Sequence, residues 1–234
     1  MIDFHSHILP GIDDGSENVD MSVKMLGMEK ASGINTIVAT PHFYLSDQSL
    51  DSFLTARDEA YEKLLPESEK LGAEIVLGAE VLYTHSLADI DMTKLCVGNT
   101  KYMMIELPYK QLSRNFIRSF HSFIGSIYPD VVPILAHAER YLNFTDEESL
   151  YEVLNCDIIV QLNSGSFKMF SPNIKFMHNL IKHDMAHLLG TDCHNLTSRA
   201  PNMDIARKAL NKKFPGCFED MMNNAEKILS GKII

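Results

Sequence analysis

Cysteine is scarce in this sequence: Cys96, Cys156, Cys193 and Cys217 are four in 234 residues, spaced neither as metal ligands nor as a disulfide framework. Four reduced thiols are therefore expected. Basic residues are also in deficit, 21 Lys and Arg against 31 Asp and Glu, giving a formal net charge of −10 with no basic patch along the chain. That argues against a nucleic-acid partner or an anionic membrane surface. No apolar run approaches the length of a membrane span, so direct membrane insertion is not expected. Low-complexity segments and internal repeats are missing too. The first candidate ligand, His5, leaves no room for a signal peptide ahead of it, and a cytoplasmic location is expected.

What is present is a globular composition, 45% hydrophobic and 22% charged, long enough for one sizeable core and expected to form a single domain over residues 1–234. Apolar strand-like runs at 2–4, 35–39, 74–77, 102–105, 132–136, 158–162 and 187–190 alternate with segments of helical period. The helices are expected at 18–32, 51–71, 113–126, 146–154, 173–183, 201–213 and 216–230. Asn18 is placed to cap the first helix and Gly33 to stop it, with Met21, Met25 and Met28 at core spacing. The abundant methionines read as core filling. Seven β-then-α units with strands buried on both faces argue for a parallel α/β sheet, open or closed into a barrel.

The polar residues favour the barrel. In such a fold the chemistry gathers at the C-terminal ends of the strands. The first strand leads into His5 and His7, which share a face of an extended chain. The second ends in Thr40-Pro41-His42, the third in Gly78-Ala79-Glu80, the fourth in Glu106, the fifth in His137 and the seventh in Asp192 and His194; Asp14 lies in the first strand-to-helix loop. Each alone could be a cap, a hydrogen-bonded core group or a rim charge. Glu80 and Glu106 resist that explanation, because each ends an apolar run where an unpaired carboxylate would be costly to bury.

Imidazole and carboxylate with no convergent thiol suit Mn, Zn, Fe, Co or Mg, and so many ligand residues imply more than one ion. Such ions would hold a phosphate dianion on an otherwise acidic protein and bring a bound water toward a pKa of about 7. Hydrolysis of a phosphate ester follows. Arg140 and Arg199 fall in rim loops beside these residues and have the forked geometry that grips phosphate. Taken without the metal context, pairing with Glu139 or Glu147 or capping a helix is about as good a reading of each. Asn163 and Ser164 end the sixth strand, where substrate contact and a turn before Gly165 are equally good readings.

Asp-Phe-His-Ser-His, Thr-Pro-His, Gly-Ala-Glu, Ile-Glu-Leu, Ala-His-Ala-Glu-Arg-Tyr and Gly-Thr-Asp-Cys-His, in that order, resemble the PHP (polymerase and histidinol phosphatase) superfamily over nearly the whole chain. Within it, Ile-Asp-Asp-Gly, Glu106 and the Glu-Arg-Tyr after His137 resemble the bacterial manganese-dependent protein-tyrosine phosphatases of capsule and exopolysaccharide operons. The resemblance implies a distorted seven-stranded (β/α) barrel with three metal positions. His5, His7, Glu80 and Asp192 would hold one ion; Glu80, Glu106 and His137 a second; Asp14, His42 and His194 a third. Arg140 and Arg199 match the positions that grip phosphate. The implied substrate is the phosphotyrosine-rich C-terminal tail of a bacterial tyrosine autokinase controlling polysaccharide export. A homo-oligomer is left open.

In the implied mechanism a metal-bridging hydroxide attacks phosphorus in line while metals and arginines neutralise the phosphoryl oxygens. A tyrosine phenol, pKa about 10, leaves without a strong general acid, although His42 or Asp14 could assist. Two rivals share these residues: a histidinol-phosphatase-like small-molecule phosphomonoesterase, and a non-catalytic module that docks phosphotyrosine on its metals. A third reading uses Cys193 and Arg199, which fit the Cys-x5-Arg pattern of thiol-based phosphatases. That loop has no glycine between the two residues, and Cys193 should face away from its neighbours Asp192 and His194. Asp13 is expected to form a turn, and His85, His121, His178, His183 and His187 to play structural or surface roles.

Overall fold

Short parallel strands build the wall of the protein in the computed structural model, which describes residues 1–234. They are β1 (Ile2–Ser6), β2 (Thr36–Ala39), β3 (His42–Phe43), β4 (Glu74–Leu77), β5 (Glu80–Leu82), β6 (Tyr102–Glu106), β7 (Val132–Leu135), β8 (Ile159–Asn163) and β9 (Leu188–Gly190). They pair in the orders β1-β2-β4 and β3-β5-β6-β7-β8-β9, the second group curling as a half-barrel. The two groups share staves: β2 resumes as β3 beyond Thr40-Pro41, and β4 resumes as β5 beyond Gly78-Ala79. Backbone bonds cross both breaks, with Gly78 N donating to Ala39 O at 2.8 Å and Glu80 N to Pro41 O at 3.0 Å. Proline supplies no N–H to a ladder, which accounts for the first interruption. At the far edge β9 returns to β1 through a Ser6–Cys193 bridge and a bond from Asp192 N to His5 O of 2.8 Å. Counting each broken stave once recovers the distorted seven-stranded barrel, except that His42 and Glu80 open new short strands where uninterrupted ones were expected to end.

The helices are α1 (Val19–Ala31), α2 (Leu50–Leu71), α3 (Arg114–Ile127), α4 (Glu147–Leu154), α5 (Ile174–Lys182), α6 (Met203–Lys213) and α7 (Cys217–Leu229). Asn18 caps α1 by accepting from Met21 N at 3.0 Å, satisfying one of the orphan donors of a helix start. The pattern of seven regular β-then-α units fails at the third stave, which is followed only by tight 3-10 turns at His85–Asp89 and Met92–Leu95; the seventh carries both α6 and α7.

Alternation along the strands sorts the core into two layers. Phe4, Val38, Tyr102, Met104, Ile134 and Leu188 fill the barrel, plugged at one end by Ala225 and Ile228 of α7. Ile37, Ile75, Met103, Ile105, Leu135 and Leu189 belong to the larger outer cluster beneath the helices. Met25 lies in that outer layer, but Met28 is exposed, so the methionine spacing overstates the buried face of α1.

In β1, Asp3 pairs with Ile37 and Ser6 with Ala39, so between these pairs two residues on one strand face one on the other. This bulge re-aims the chain between Asp3 and Ser6. Asp3 faces out toward α1 and Thr191, 2.5 Å from its hydroxyl, while His5 faces the other way. Gly190 permits the approach of β9: a Cβ there would lie 2.4 Å from His5 Cβ and 2.9 Å from His5 N.

Candidate metal centre

All of the side chains anticipated from the sequence meet at the rim. His5 Nε2 and His7 Nε2 face each other at 3.2 Å, and both lie 3.2 Å from Glu80 Oε2. Asp192 Oδ1 is 3.7 Å from His5 Nε2 and 3.5 Å from His7 Nε2. His137 Nε2 approaches Glu80 Oε1 at 2.6 Å and Glu106 Oε1 at 3.5 Å. Asp14 Oδ1 sits 3.3 Å from His194 Nε2 and 3.5 Å from His42 Nε2. Ligand-type atoms converge within 4.8 Å in the sets His7-Asp14-His42-His194, His5-His7-Glu80 and His42-Glu80-Glu106. These overlapping sets resemble the three expected clusters, but His7 and His42 stand between clusters, and His137 and Asp192 border the sets without falling within one.

Divalent cations fit this donor set. Two imidazole nitrogens at 3.2 Å cannot both present lone pairs to one another without a proton or cation between them. His42 Nδ1, Glu80 Oε2 and His194 Nε2 are buried and make no hydrogen bond, although His42 Nδ1 and Glu80 Oε2 are only 3.2 Å apart. Nitrogen and oxygen donors in overlapping groups suit Mn, Fe, Zn or Co.

Three supports escaped the sequence reading. Asp13 forms the expected turn, its Oδ1 accepting from Gly15 N at 2.9 Å, but its Oδ2 also accepts from His7 Nδ1 at 2.6 Å. That contact leaves His7 Nε2 facing Glu80. Gln161 Oε1 lies 3.1 Å from His5 Nδ1 and accepts from His137 N at 2.7 Å. Asn163, weighed as a substrate contact or a turn, instead donates to Asp192 Oδ2 at 2.8 Å. A lone glutamine inside the apolar run 158–162 was the available signal. His137 and Asp192 also hold left-handed backbone, φ 34° and 52°, a conformation that is uncommon outside glycine and clusters at functional sites.

The electrostatics follow from packing. Burial works to lower the His7 pKa, but the adjoining Asp13 and Glu80 carboxylates raise it to about 10. For His137, burial and Arg140 oppose protonation, yet Glu80 and Glu106 bring it to about 9. Burial would raise the Asp192 carboxyl; instead His5, Arg140, His137 and His7 hold it well below the ordinary range. The rim is thus a carboxylate-rich site that collects positive charge.

Arg140 and Arg199 both turn to Asp192, rather than to Glu139 or Glu147. Arg140 Nη2 contacts Asp192 Oδ2, and Arg199 Nη2 lies 2.7 Å from Asp192 Oδ1. Both guanidinium side chains keep part of their surface exposed. Cys193 faces away as expected: it is buried, 3.8 Å from Glu29 Oε1, and burial beside Glu29 and Asp3 pushes its thiol well above the usual range. That is the opposite of an activated thiolate.

Known proteins are similar to this chain over nearly its whole length. Tyrosine-protein phosphatase YwqE of Bacillus subtilis is 29% identical over 100% of this chain and 93% of its own. Tyrosine-protein phosphatase CpsB of Streptococcus pneumoniae is 28% identical over 100% of both chains. Among solved structures, one from the crystallographic study of YwqE and CpsB, described as unique metal-dependent tyrosine phosphatases, superposes with a TM-score of 0.84 at 26% identity, covering 100% of this chain and 96% of that one. The model of the capsular polysaccharide synthesis family CpsB/CapC matches residues 1–230, and the chain belongs to that family.

Proposed function

We propose that this protein is a metal-dependent protein-tyrosine phosphatase that works with manganese in the cytoplasm on the phosphotyrosine tail of an autokinase regulating capsule or exopolysaccharide synthesis. The observation that carries the reading is the convergence of seven His, Asp and Glu side chains, with His137 and Asp192 in contact with them and two partly exposed arginines beside them, on one rim. The names of the relatives, and the metal dependence ascribed to YwqE and CpsB, point the same way.

His5, His7, Glu80 and Asp192 would hold one ion, Glu80 with Glu106 and His137 a second, and Asp14, His42 and His194 a third. When bound, the ions supply Lewis acidity at the phosphoryl oxygens and a nucleophilic water of lowered pKa. Asp13 and Gln161 orient His7 and His5 for that task. Arg140 and Arg199 are placed to exchange Asp192 for phosphoryl oxygens, which they grip as forks. His42 and Asp14 would bear on the departing phenolate only through the cation they would hold, since His194 holds the Asp14 carboxyl below the usual range and burial lowers His42, leaving neither with a proton to give. Because that phenol has a pKa of about 10, little general-acid help is needed.

The test is phosphate release by metal-stripped protein from a phosphotyrosine peptide, with a phosphoserine peptide and histidinol phosphate as comparisons. Recovery on adding Mn, largest for phosphotyrosine, is expected. Preference for histidinol phosphate would make the protein a small-molecule phosphomonoesterase instead, and tight phosphopeptide binding without release would make it a docking module.

A further inference from the structure

Tyr109 lies three residues beyond Glu106, the last residue of β6, in the loop that leads to α3. Its Oη accepts from Arg140 Nη1 at 2.9 Å and sits 3.4 Å from His137 Nε2. Its ring packs 4.9 Å from Phe144 and 5.9 Å from Tyr141, centroid to centroid. Even so, Tyr109 is 39% exposed and Phe144 is 42% exposed, so apolar ring surface is offered to solvent beside the metal ligands. A second aromatic, Tyr44, stacks near His42 at 5.1 Å.

The Tyr109 loop is pinned to the segment that carries Arg140. Leu107 N donates to Tyr141 Oη at 2.8 Å, Gln111 Nε2 to Asp146 Oδ2 at 2.7 Å, and Leu112 N to Thr145 Oγ1 at 3.3 Å. Tyr109 and Arg140 therefore keep one geometry without help from substrate, the condition for a specific subsite. Tyr109 is the exposed ring nearest Arg140, so a phosphomonoester whose phosphate reaches Arg140 can lay its organic group against it. An aromatic group gains from lying against another ring, whereas a serine methylene gains little.

Resting on the phosphatase reading above, we infer that Tyr109 is a specificity-determining residue: its ring receives the phenyl ring of the substrate, and its hydroxyl keeps Arg140 aimed at the phosphate. The two roles separate by substitution. Tyr109→Phe keeps the ring and removes the tether; Tyr109→Leu keeps apolar volume and removes both.

The experiment measures kcat/KM on phosphotyrosine and phosphoserine peptides of one sequence, and the calorimetric Kd of inorganic phosphate, for manganese-loaded wild type and both variants. Equal metal content by elemental analysis shows that the centre has survived. Tyr109→Phe should weaken phosphate binding roughly two- to tenfold, the worth of one hydrogen bond, while keeping the phosphotyrosine preference. Tyr109→Leu should lower that preference roughly three- to tenfold, mainly through KM. Equal losses on both peptides in Tyr109→Leu, or unaltered phosphate binding in Tyr109→Phe, would overturn the assignment. Wild type that releases phosphate equally from both peptides overturns it while leaving a metallophosphatase; wild type with no metal-dependent release removes both readings.

Discussion

His7, proposed above as a metal ligand, shows how much such a ring would owe to the carboxylate behind it. Its Nδ1 donates to Asp13 at 2.6 Å, which leaves Nε2 as the atom available to coordinate and makes the ring more basic. Asp13→Asn keeps the shape but replaces the carboxylate, and it is expected to weaken metal affinity roughly 10- to 100-fold. A titration of stripped protein with Mn reads this directly; unchanged affinity would reduce Asp13 to its turn with Gly15. Gln161 plays the comparable part for His5. The histidines also compete with protons for the metal. Since His7 rises to about 10 and His137 to about 9, each is protonated at neutral pH in the metal-free protein and must lose that proton to ligate. Metal affinity should therefore climb with pH through that interval, with protons released on binding, as calorimetry in buffers of differing ionisation enthalpy would record. Affinity independent of pH would contradict the assignment of these two rings as ligands.

At the scale of elements, the site depends on how closely β9 can lie against β1. Gly190→Ala would force a Cβ to within 2.4 Å of His5 Cβ. Neither strand can yield without displacing His5 or Asp192 from the rim. Overpacking of this kind costs about 1–3 kcal/mol, a drop in Tm of roughly 2–12 °C for a domain of this size, and metal content should fall with it. Thermal melts and elemental analysis check the pair; a stable, fully loaded variant would mean the contact is slack. The strands were legible because their apolar runs are short and bounded, and the helices because caps such as Asn18 and stops such as Gly33 announce their ends. The breaks after Ala39 and Leu77 were not, since Thr40-Pro41 and Gly78-Ala79 read equally well as strand ends. The helix missing after the third stave was legible, since no helical run was expected between 77 and 102, but the 3-10 turns at 85 to 95 were not, because their short period leaves little mark. Candidate ligands were readable because His, Asp and Glu at strand ends are conspicuous. Asp13, Gln161 and Tyr109 were not, since a turn former, a strand glutamine and a loop tyrosine gain meaning only from what they touch.

Across the whole molecule, an acidic chain of net charge −10 concentrates buried carboxylates at one rim and balances them with imidazoles and two arginines. Cations should stabilise this fold as well as activate it, by RT ln(1 + [L]/Kd). Because His7 and His137 have raised pKa values, their protonated forms stabilise the metal-free fold below about pH 6.5, and that contribution is lost as pH rises through about 9 and 10. The increase in Tm on adding Mn should accordingly be larger at about pH 8.5 than at about pH 6. Differential scanning measurements at the two pH values decide it, and an equal or smaller increase at the higher pH would contradict the linkage.

The central claim is that metal held by this rim, rather than the thiol of the Cys-x5-Arg segment, hydrolyses phosphotyrosine. Its most direct test is phosphate release from a phosphotyrosine peptide by metal-stripped protein, with and without Mn, in wild type, Cys193→Ser and His137→Ala. The account predicts activity that requires Mn, persists in Cys193→Ser and collapses in His137→Ala. Activity that ignores metal removal and disappears in Cys193→Ser would contradict it.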